Sequence, residues 1–426
     1  MISILAPLVR GICIHAAKAP RIVITGQGPE PQNALTVDLD SAFKKDNSGA
    51  EIFHEEEAAK ILNEAYAAWE FEITPSGAER SEAECAETVN KQPSSIVLKR
   101  GAKTLGIFWI DRDIDAARNR QKNGDDALLE ERSGRKPGGE FFSPDLSAAN
   151  RSCVVKNRVA VVTGGAQGFG EQISLGLAAS GALVFIADLN LKGAEALAGK
   201  INDSLGRTAA IPVQADITSE TSMEALFAFV AEQAGGLDLC ICNAGVLQAG
   251  SVMEQKLESF KFTTEVNYVG YFITAKYASR ILRLQHLTAL QWKTDIIQIN
   301  SKSGLEGSNK NGAYAGSKFG GLGLTASFAL ELVEYNIKVN SICPGNFFDG
   351  PLWADPEKGL FVQYLRAGKV SGARTVADVK AYYEDRVPMK RGCEGPDVMR
   401  AIYYVVEQKY ETGQAVPVTG GQVMLH

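Results

Sequence analysis

The stretch Arg158-Val-Ala-Val-Val-Thr-Gly-Gly-Ala-Gln-Gly-Phe-Gly170 constrains this chain more than any other. Val159 to Val162 is a short apolar run of the kind that fills a buried parallel strand. Thr163 and Gly164 break it. Gly164, Gly168 and Gly170 then lead into Glu171 to Ser180, where the apolar spacing is helical and stops at Gly181. A strand, a glycine turn and a helix in that order suit a dinucleotide phosphate: glycines let the backbone come close, and the helix N-terminus offers free N–H groups and a positive dipole. Residues Arg21-Ile-Val-Ile-Thr-Gly-Gln-Gly28 start the same way but are followed by Pro29 and Pro31. No helix can start and run through those prolines, so this earlier turn is not expected to hold a cofactor.

After Arg158, strand and helix patterns alternate, which predicts an α/β fold with a doubly wound, Rossmann-type parallel sheet. Ala182 to Asp188 reads as the second strand, Ala209 to Ala215 as the third, ending at Asp216, and Leu237 to Cys242 as the fourth, ending in Asn243, Ala244 and Gly245. Each polar group falls at a strand C-terminal end, the edge where such sheets bind ligands. Asp188 lies eighteen residues beyond Gly170. A carboxylate there accepts hydrogen bonds from an adenosine ribose and repels a 2′-phosphate, and neither Ala166 nor Leu189 brings a compensating cation. NAD(H) is therefore expected over NADP(H). A fifth strand from Thr294 runs out into Ser301; Tyr314 follows thirteen residues later and Lys318 four after that. Residues four apart share a helix face. A neighbouring ammonium stabilises phenolate, which lowers a tyrosine from its usual value of about 10 toward the range where it exchanges protons with an alcohol.

These motifs, in this order, resemble the short-chain dehydrogenase/reductase family across residues from about 156 to 426. The resemblance implies cofactor contacts from Thr163, Gly164, Gln167, Gly168, Phe169, Gly170, Asp188, Asp216, Asn243, Ala244, Gly245, Tyr314, Lys318, Pro344 and Gly345. It implies Tyr314 as general acid/base, Lys318 as the group that tunes it and binds the nicotinamide ribose, Ser301 as the hydrogen-bond partner of the reacting oxygen, and Asn267 as the holder of a relay water. Within the family, Ile296–Gly304, Lys318–Thr325, Val387–Cys393 and Val418–Met424 resemble the branch that interconverts sorbitol 6-phosphate and fructose 6-phosphate with NAD(H). The alternatives are another sugar alcohol or keto substrate, and a non-catalytic NAD(H)-binding sensor. Lys302, Lys390 and Arg391 are candidate cations for a sugar phosphate; the plainer reading has Arg391 anchoring a lid and the lysines solvated. The tract from Asn346 to Arg386 reads as that lid, with Phe347, Phe348, Trp353 and Tyr364 to exclude water.

Residues 1–150 read as a separate small α/β extension, with a polar linker from about residue 120, and residues 151–426 as the dehydrogenase domain. His54 to Glu70 has a helix pattern, Ser94 to Arg100 and Leu105 to Ile110 read as strands, and a charged helix starts at Asp113. Ile2 to Val9 is apolar but short, with no basic residue before it, so an ordinary strand or helix is expected rather than a targeting segment. Leu105 to Arg120 resembles the tract preceding the dehydrogenase in fused aldolase–dehydrogenase chains. The histidine cluster of such an aldolase is absent, and no activity is assigned to the extension. A net charge of -6 gives no general reason for nucleic-acid binding, and no run approaches the ~20 apolar residues that span a bilayer. Seven dispersed cysteines form no disulfide framework, which points to a reducing cytoplasm, and four scattered histidines suggest no metal site. Gly316, Gly320, Gly321 and Gly323 crowd one helix, each at a cost of about 1 kcal/mol against alanine. Residues 267–282 are apolar nearly all round (Val269, Tyr271, Phe272, Ile273, Tyr277, Ile281). Both features suggest a partner subunit, hence a homodimer or homotetramer.

Overall fold

The computed structural model describes residues 1–17, 22–26, 34–46, 51–73, 95–100, 102–111, 114–123, 152–366, 368 and 370–424. Most of the polar linker expected from about residue 120 and the tail of the 21–28 motif lie outside them; residues 120–123, expected to begin the linker, instead complete the helix Ile114–Asn123. Helix α1 (Ile2–Ala17) takes in the apolar N-terminal run. It is followed by β1 (Ile22–Gly26), β2 (Leu35–Asp38), β3 (Phe43–Lys45), β4 (Glu51–Phe53), α2 (Glu55–Ile73), β5 (Ser95–Arg100), β6 (Lys103–Asp111) and α3 (Ile114–Asn123). Four of these strands form a sheet in the order β1-β6-β5-β2; β3 and β4 pair separately as a hairpin. One face of the sheet meets α1 and α2 through Val37, Ile96, Leu98, Phe108, Leu8 and Leu62.

The second part alternates as expected. β7 (Val159–Thr163), α4 (Gly168–Ala179), β8 (Leu183–Asp188), α5 (Leu191–Leu205), β9 (Ala210–Gln214), α6 (Glu220–Ala234) and β10 (Leu239–Cys242) make up its first half. Then come α7 (Leu257–Thr264), a π-helical turn (Glu265–Val269), α8 (Gly270–His286), β11 (Thr294–Ile299), α9 (Gly312–Leu332) and β12 (Ile337–Pro344). Three short helices follow, α10 (Pro351–Ala354), α11 (Leu360–Arg366) and α12 (Val376–Asp385), before α13 (Gly395–Glu407) and β13 (Ala415–Val418). All seven strands run parallel in the order β13-β12-β11-β10-β7-β8-β9. β7, β8, β10, β11 and β12 are buried throughout; β7, β8 and β10 accordingly read as apolar runs, whereas β11 and β12 also bury Asp295, Gln298, Lys338 and Asn340. The order reverses between β7 and β10, and that opens the crevice where such sheets bind ligands.

The extension shares a core with this sheet. Ile24, Val97, Ile107 and Trp109 from its far face, with Ile114 and Ala117 of α3, join Phe227, Val230 and Ala234 of α6 in one cluster. α1 lies against the C-terminal half of α8, where the Thr288 hydroxyl donates to the Leu8 carbonyl at 2.7 Å. Of the apolar residues on and before α8, Tyr271, Ile273, Tyr277 and Ile281 are therefore buried within this chain, whereas Phe272 stays 42% exposed. The glycines of α9 divide likewise: a side chain at Gly320 would strike the Tyr268 ring and one at Gly321 the Gln298 amide, while Gly316 and Gly323 face open space.

Candidate active site at the switch point

Thr163 closes β7 and is buried. Its hydroxyl donates to the Ile241 carbonyl (3.4 Å) and accepts from the amides of Asn243 (3.1 Å) and Ala244 (3.3 Å). The Asn243 amide group donates in return to the carbonyls of Thr163 (3.0 Å) and Gly164 (2.9 Å). The ends of β7 and β10 are thus stitched together across the crevice. Gly164 and Gly168 take φ values of 60° and 59°, in the left-handed region that favours glycine. A Cβ at Gly170 would lie 1.9 Å from the Gly164 carbonyl oxygen. Gln167 caps α4 in an extended conformation and is exposed.

Asp188 ends β8; its carboxylate accepts from Ala166 N–H (3.0 Å) and Asn190 N–H (2.9 Å), so it ties the glycine turn to the second strand. Asp216 accepts from the amide and hydroxyl of Thr218 at 2.9 and 2.7 Å. Gly345, after Pro344 at the end of β12, donates to the Val418 carbonyl at 2.9 Å. The cradle that any side chain would fill and the carboxylate at the β8 edge fit a dinucleotide. Gly168 and Gly170 lie in the first turn of α4, Gly164 just before it, and Asp188 at the neighbouring strand end.

Ser301 follows β11 in extended conformation; its N–H donates to the Asn300 side chain (2.8 Å) and its hydroxyl accepts from Ser303 N–H (3.1 Å). Tyr314 sits in the first turn of α9. Lys318, one turn on, donates to the Ile299 carbonyl at 3.0 Å and lies 5.6 Å from the centre of the Tyr314 ring. Asn267 projects from the π-helical turn, accepting from Val246 N–H (2.8 Å) and donating to the Val246 carbonyl (2.8 Å) and the Ser317 hydroxyl (3.2 Å). π-turns of this kind recur at functional sites because they displace one residue from the regular helical register. A Cβ at Gly245 would lie 3.1 Å from the Asn267 side-chain oxygen and 3.7 Å from the Lys318 ammonium. Serine, tyrosine, lysine and asparagine therefore meet beside the glycine turn.

The electrostatics correct one expectation. Burial pushes the Tyr314 phenol up from its ordinary value; the Ser301 hydroxyl pulls it back and the nearby Cys343 thiol adds to the rise. Lys318 does not bring it down here, because burial lowers the ammonium itself to about 8. Asn300 and Cys343 went unnoticed in the sequence. Asn300 donates to the Lys318 carbonyl at 2.9 Å and so braces both the serine and the lysine. Its signal was a polar residue at the end of a buried strand. Cys343, whose thiol burial pushes up to about 12, had no signal beyond being apolar in pattern.

The three candidate phosphate cations separate. Lys390 donates to the Asp385 carboxylate at 2.7 Å. Arg391 holds Asp397 in a two-pronged pair at 2.5 and 2.9 Å, which raises the guanidinium further above its usual value. Both thus anchor the return from the lid, whereas Lys302, half-buried beside Ser301, has no side-chain partner among the described residues. In the lid, Phe348, Trp353 and Phe361 pack with Val370, Val379 and Val387 into a small core of their own. Phe347 points the other way and stacks on Phe169 of the glycine turn, with ring centres 4.5 Å apart and planes at 16°.

Residues 158–354 match the family model for short chain dehydrogenases. The chain is 40% identical over 270 residues to sorbitol-6-phosphate 2-dehydrogenase of Escherichia coli (strain K12), covering 63% of this chain and 99% of that one. It is 31% identical over 274 residues to trans-4-hydroxycyclohexanecarboxylate dehydrogenase of Sinomonas cyclohexanicum, covering 63% of this chain and 93% of the relative. The crystal structure of sorbitol-6-phosphate 2-dehydrogenase from Erwinia amylovora superposes with a TM-score of 0.57 at 41% identity, covering 62% of this chain and all of that one. The chain belongs to the short-chain dehydrogenase family and is an oxidoreductase whose family binds a nicotinamide cofactor. Each of these three matches covers 62–63% of the chain, its C-terminal part. Among the described residues no helix is long and apolar enough to cross a membrane, and no group of three or more ligand-type side chains could hold a metal ion.

Proposed function

We propose that this chain is an NAD-dependent dehydrogenase that interconverts sorbitol 6-phosphate and fructose 6-phosphate. The observation that carries this reading is the cluster of Ser301, Tyr314, Lys318 and Asn267 beside the glycine turn, in a chain 40% identical to a sorbitol-6-phosphate 2-dehydrogenase. Oxidation of the polyol removes a hydride from carbon and a proton from the hydroxyl. When bound, the nicotinamide dinucleotide supplies the hydride chemistry. Ser301 holds the reacting oxygen and the Tyr314 phenol carries the proton. Lys318, lowered by burial to about 8, is still an ammonium at neutral pH but releases its proton more readily than an ordinary lysine, which suits it to pass the proton on. A phenol raised by burial favours the acid role, donating to the ketose at neutral pH. Polyol oxidation is therefore expected to speed up as pH rises above neutral, and ketose reduction to slow.

Asp188 supports NAD(H) over NADP(H), because a carboxylate at the end of the second strand repels a 2′-phosphate. Lys302 is the cation we assign to the sugar phosphate; Lys390 and Arg391 already serve carboxylates. A homodimer or homotetramer is supported by Phe272 and Phe319, 42% and 47% exposed, beside the open positions Gly316 and Gly323. Cys240, Cys242, Cys343 and Cys393, buried and not in disulfides, favour a cytoplasmic setting.

The test is NADH formation with sorbitol 6-phosphate against unphosphorylated sorbitol, run also with NADP. Tyr314→Phe should lower kcat by about 10²–10⁴-fold with the fold intact. If neither polyol reduces NAD, or the phenylalanine variant keeps full activity, the reading fails. Activity with sorbitol alone would reassign the substrate to an unphosphorylated polyol.

A further inference from the structure

The two strands that flank the crevice, β7 and β10, meet at their lower ends on a single buried carboxylate. Asp238, immediately before β10, donates its N–H to the Val159 carbonyl at 2.9 Å and accepts from the Val159 N–H at 2.8 Å. Its other carboxylate oxygen accepts from the Trp292 indole at 2.9 Å. The charge that balances it comes from the extension. Arg10 of α1, fully buried, donates to the two Asp238 oxygens at 3.3 and 2.6 Å and to the Gln285 side chain at 2.7 Å. Burial pushes the Asp238 carboxyl up, but the Arg10 guanidinium outweighs it, with help from Arg158, and the group sits below its ordinary value. Asp295 on β11 and Lys338 on β12 form a second buried pair at 2.8 Å, and the Asp295 N–H donates to the Asp238 carbonyl. The fit around Arg10 is tight. A Cβ at Gly11 would strike the Thr288 hydroxyl, one at Gly236 the Gln285 side chain, and one at Gly235 the β1 residue Val23.

We propose that the N-terminal extension is a built-in clamp on the cofactor site, with Arg10 as a positioning residue that holds β7 and β10 in register through Asp238. The same two strands end above in the glycine turn and in Asn243–Gly245, five residues from Asp238 along β10. A slip at the lower end would move both halves of the cradle. Neutralising Arg10 alone leaves Asp238 charged and buried without its partner. Removing both charges does not, which is why a buried pair loses more from one deletion than from two.

The experiment uses the full chain as wild type, Arg10→Met and the double variant Arg10→Met/Asp238→Asn. Amide hydrogen exchange is followed in peptides covering 159–163 and 239–245, with peptides from β12 and α13 as internal references. Arg10→Met should speed exchange in the two flanking strands by tenfold or more over the references and weaken NADH binding by a similar factor. The double variant should recover part of the exchange protection. If Arg10→Met fails to fold, the double variant carries the test: a loss of protection confined to β7 and β10 supports the clamp, and wild-type protection in those strands overturns it. Unchanged exchange in Arg10→Met, or an even rise across all peptides, also overturns it. The NADH arm rests on the cofactor reading above, whereas the exchange arm does not. A wild type that binds no NADH refutes that reading while the exchange result still decides the clamp.

Discussion

Two strands of this chain end in Thr-Gly, and their surroundings differ in every respect that matters for binding. β1, Ile-Val-Ile-Thr-Gly, is an edge strand running antiparallel to β6. Its Thr25 hydroxyl makes a 3.3 Å bond to the Glu232 carbonyl of α6 and so serves packing between the extension and the dehydrogenase sheet. β7, Val-Ala-Val-Val-Thr, is central, with parallel neighbours on both sides, and Thr163 fixes the entrance of a crevice. The Thr-Gly chemistry is alike; position in the sheet makes one the edge of an open crevice and the other a seam. A glycine motif acquires function from the strand order around it, because only a reversal of that order opens space above a strand end.

The sharpest way to break this contrast is Gly170→Ala. The added methyl would meet a backbone carbonyl at 1.9 Å, which cannot give way as a flexible side chain would. Dinucleotide affinity, measured by NADH fluorescence titration, should fall by about 100-fold, equivalent to about 2.7 kcal/mol. Thr163→Ala comes next. It strips a shared acceptor from the amides of Asn243 and Ala244, and denaturant unfolding should show a loss of about 1–3 kcal/mol.

A third test uses Lys318, which only the second Thr-Gly end has beside it. Its folded value of about 8 lies below the ordinary 10.5. Between those values the unfolded chain still holds a proton that the folded chain has released, so stability rises with pH there; below about 8 the burial cost is fully present. Cofactor-free wild type should therefore gain stability relative to Lys318→Met between about pH 8 and pH 10, by at most about 1.4 kcal/mol per pH unit. A flat difference would mean the ammonium is not buried in solution. The smallest effect is expected from Thr25→Ala, within about 0.5 kcal/mol by the same unfolding assay, since its single bond is exposed. Equal losses at Thr25 and Thr163 would erase the contrast.

Much of the dehydrogenase sheet was legible because parallel strands buried on both faces leave unbroken apolar runs, and because glycines and strand-end polar residues mark the ligand edge. Ser301, Tyr314, Lys318 and Asn267 do converge, as their spacing and family resemblance implied. What escaped was non-local. Whether a cation is free depends on a carboxylate elsewhere: Arg391 faces Asp397 and Lys390 faces Asp385, leaving Lys302 alone of the three. The direction of the Tyr314 shift depends on how deeply the phenol is buried, which the four-residue spacing to Lys318 does not encode. The apolar stripe around α8 pointed to a partner subunit, yet much of it is covered by this chain's own α1 and core, through pairings as distant in sequence as Leu8 and Thr288.

Because Phe348, Trp353 and Phe361 give the lid a core of its own, it need not melt to open. It meets the glycine turn through the stack of Phe347 on Phe169, a contact separate from that core. Trimming Phe347 is therefore expected to loosen that seam while the tract keeps its own core.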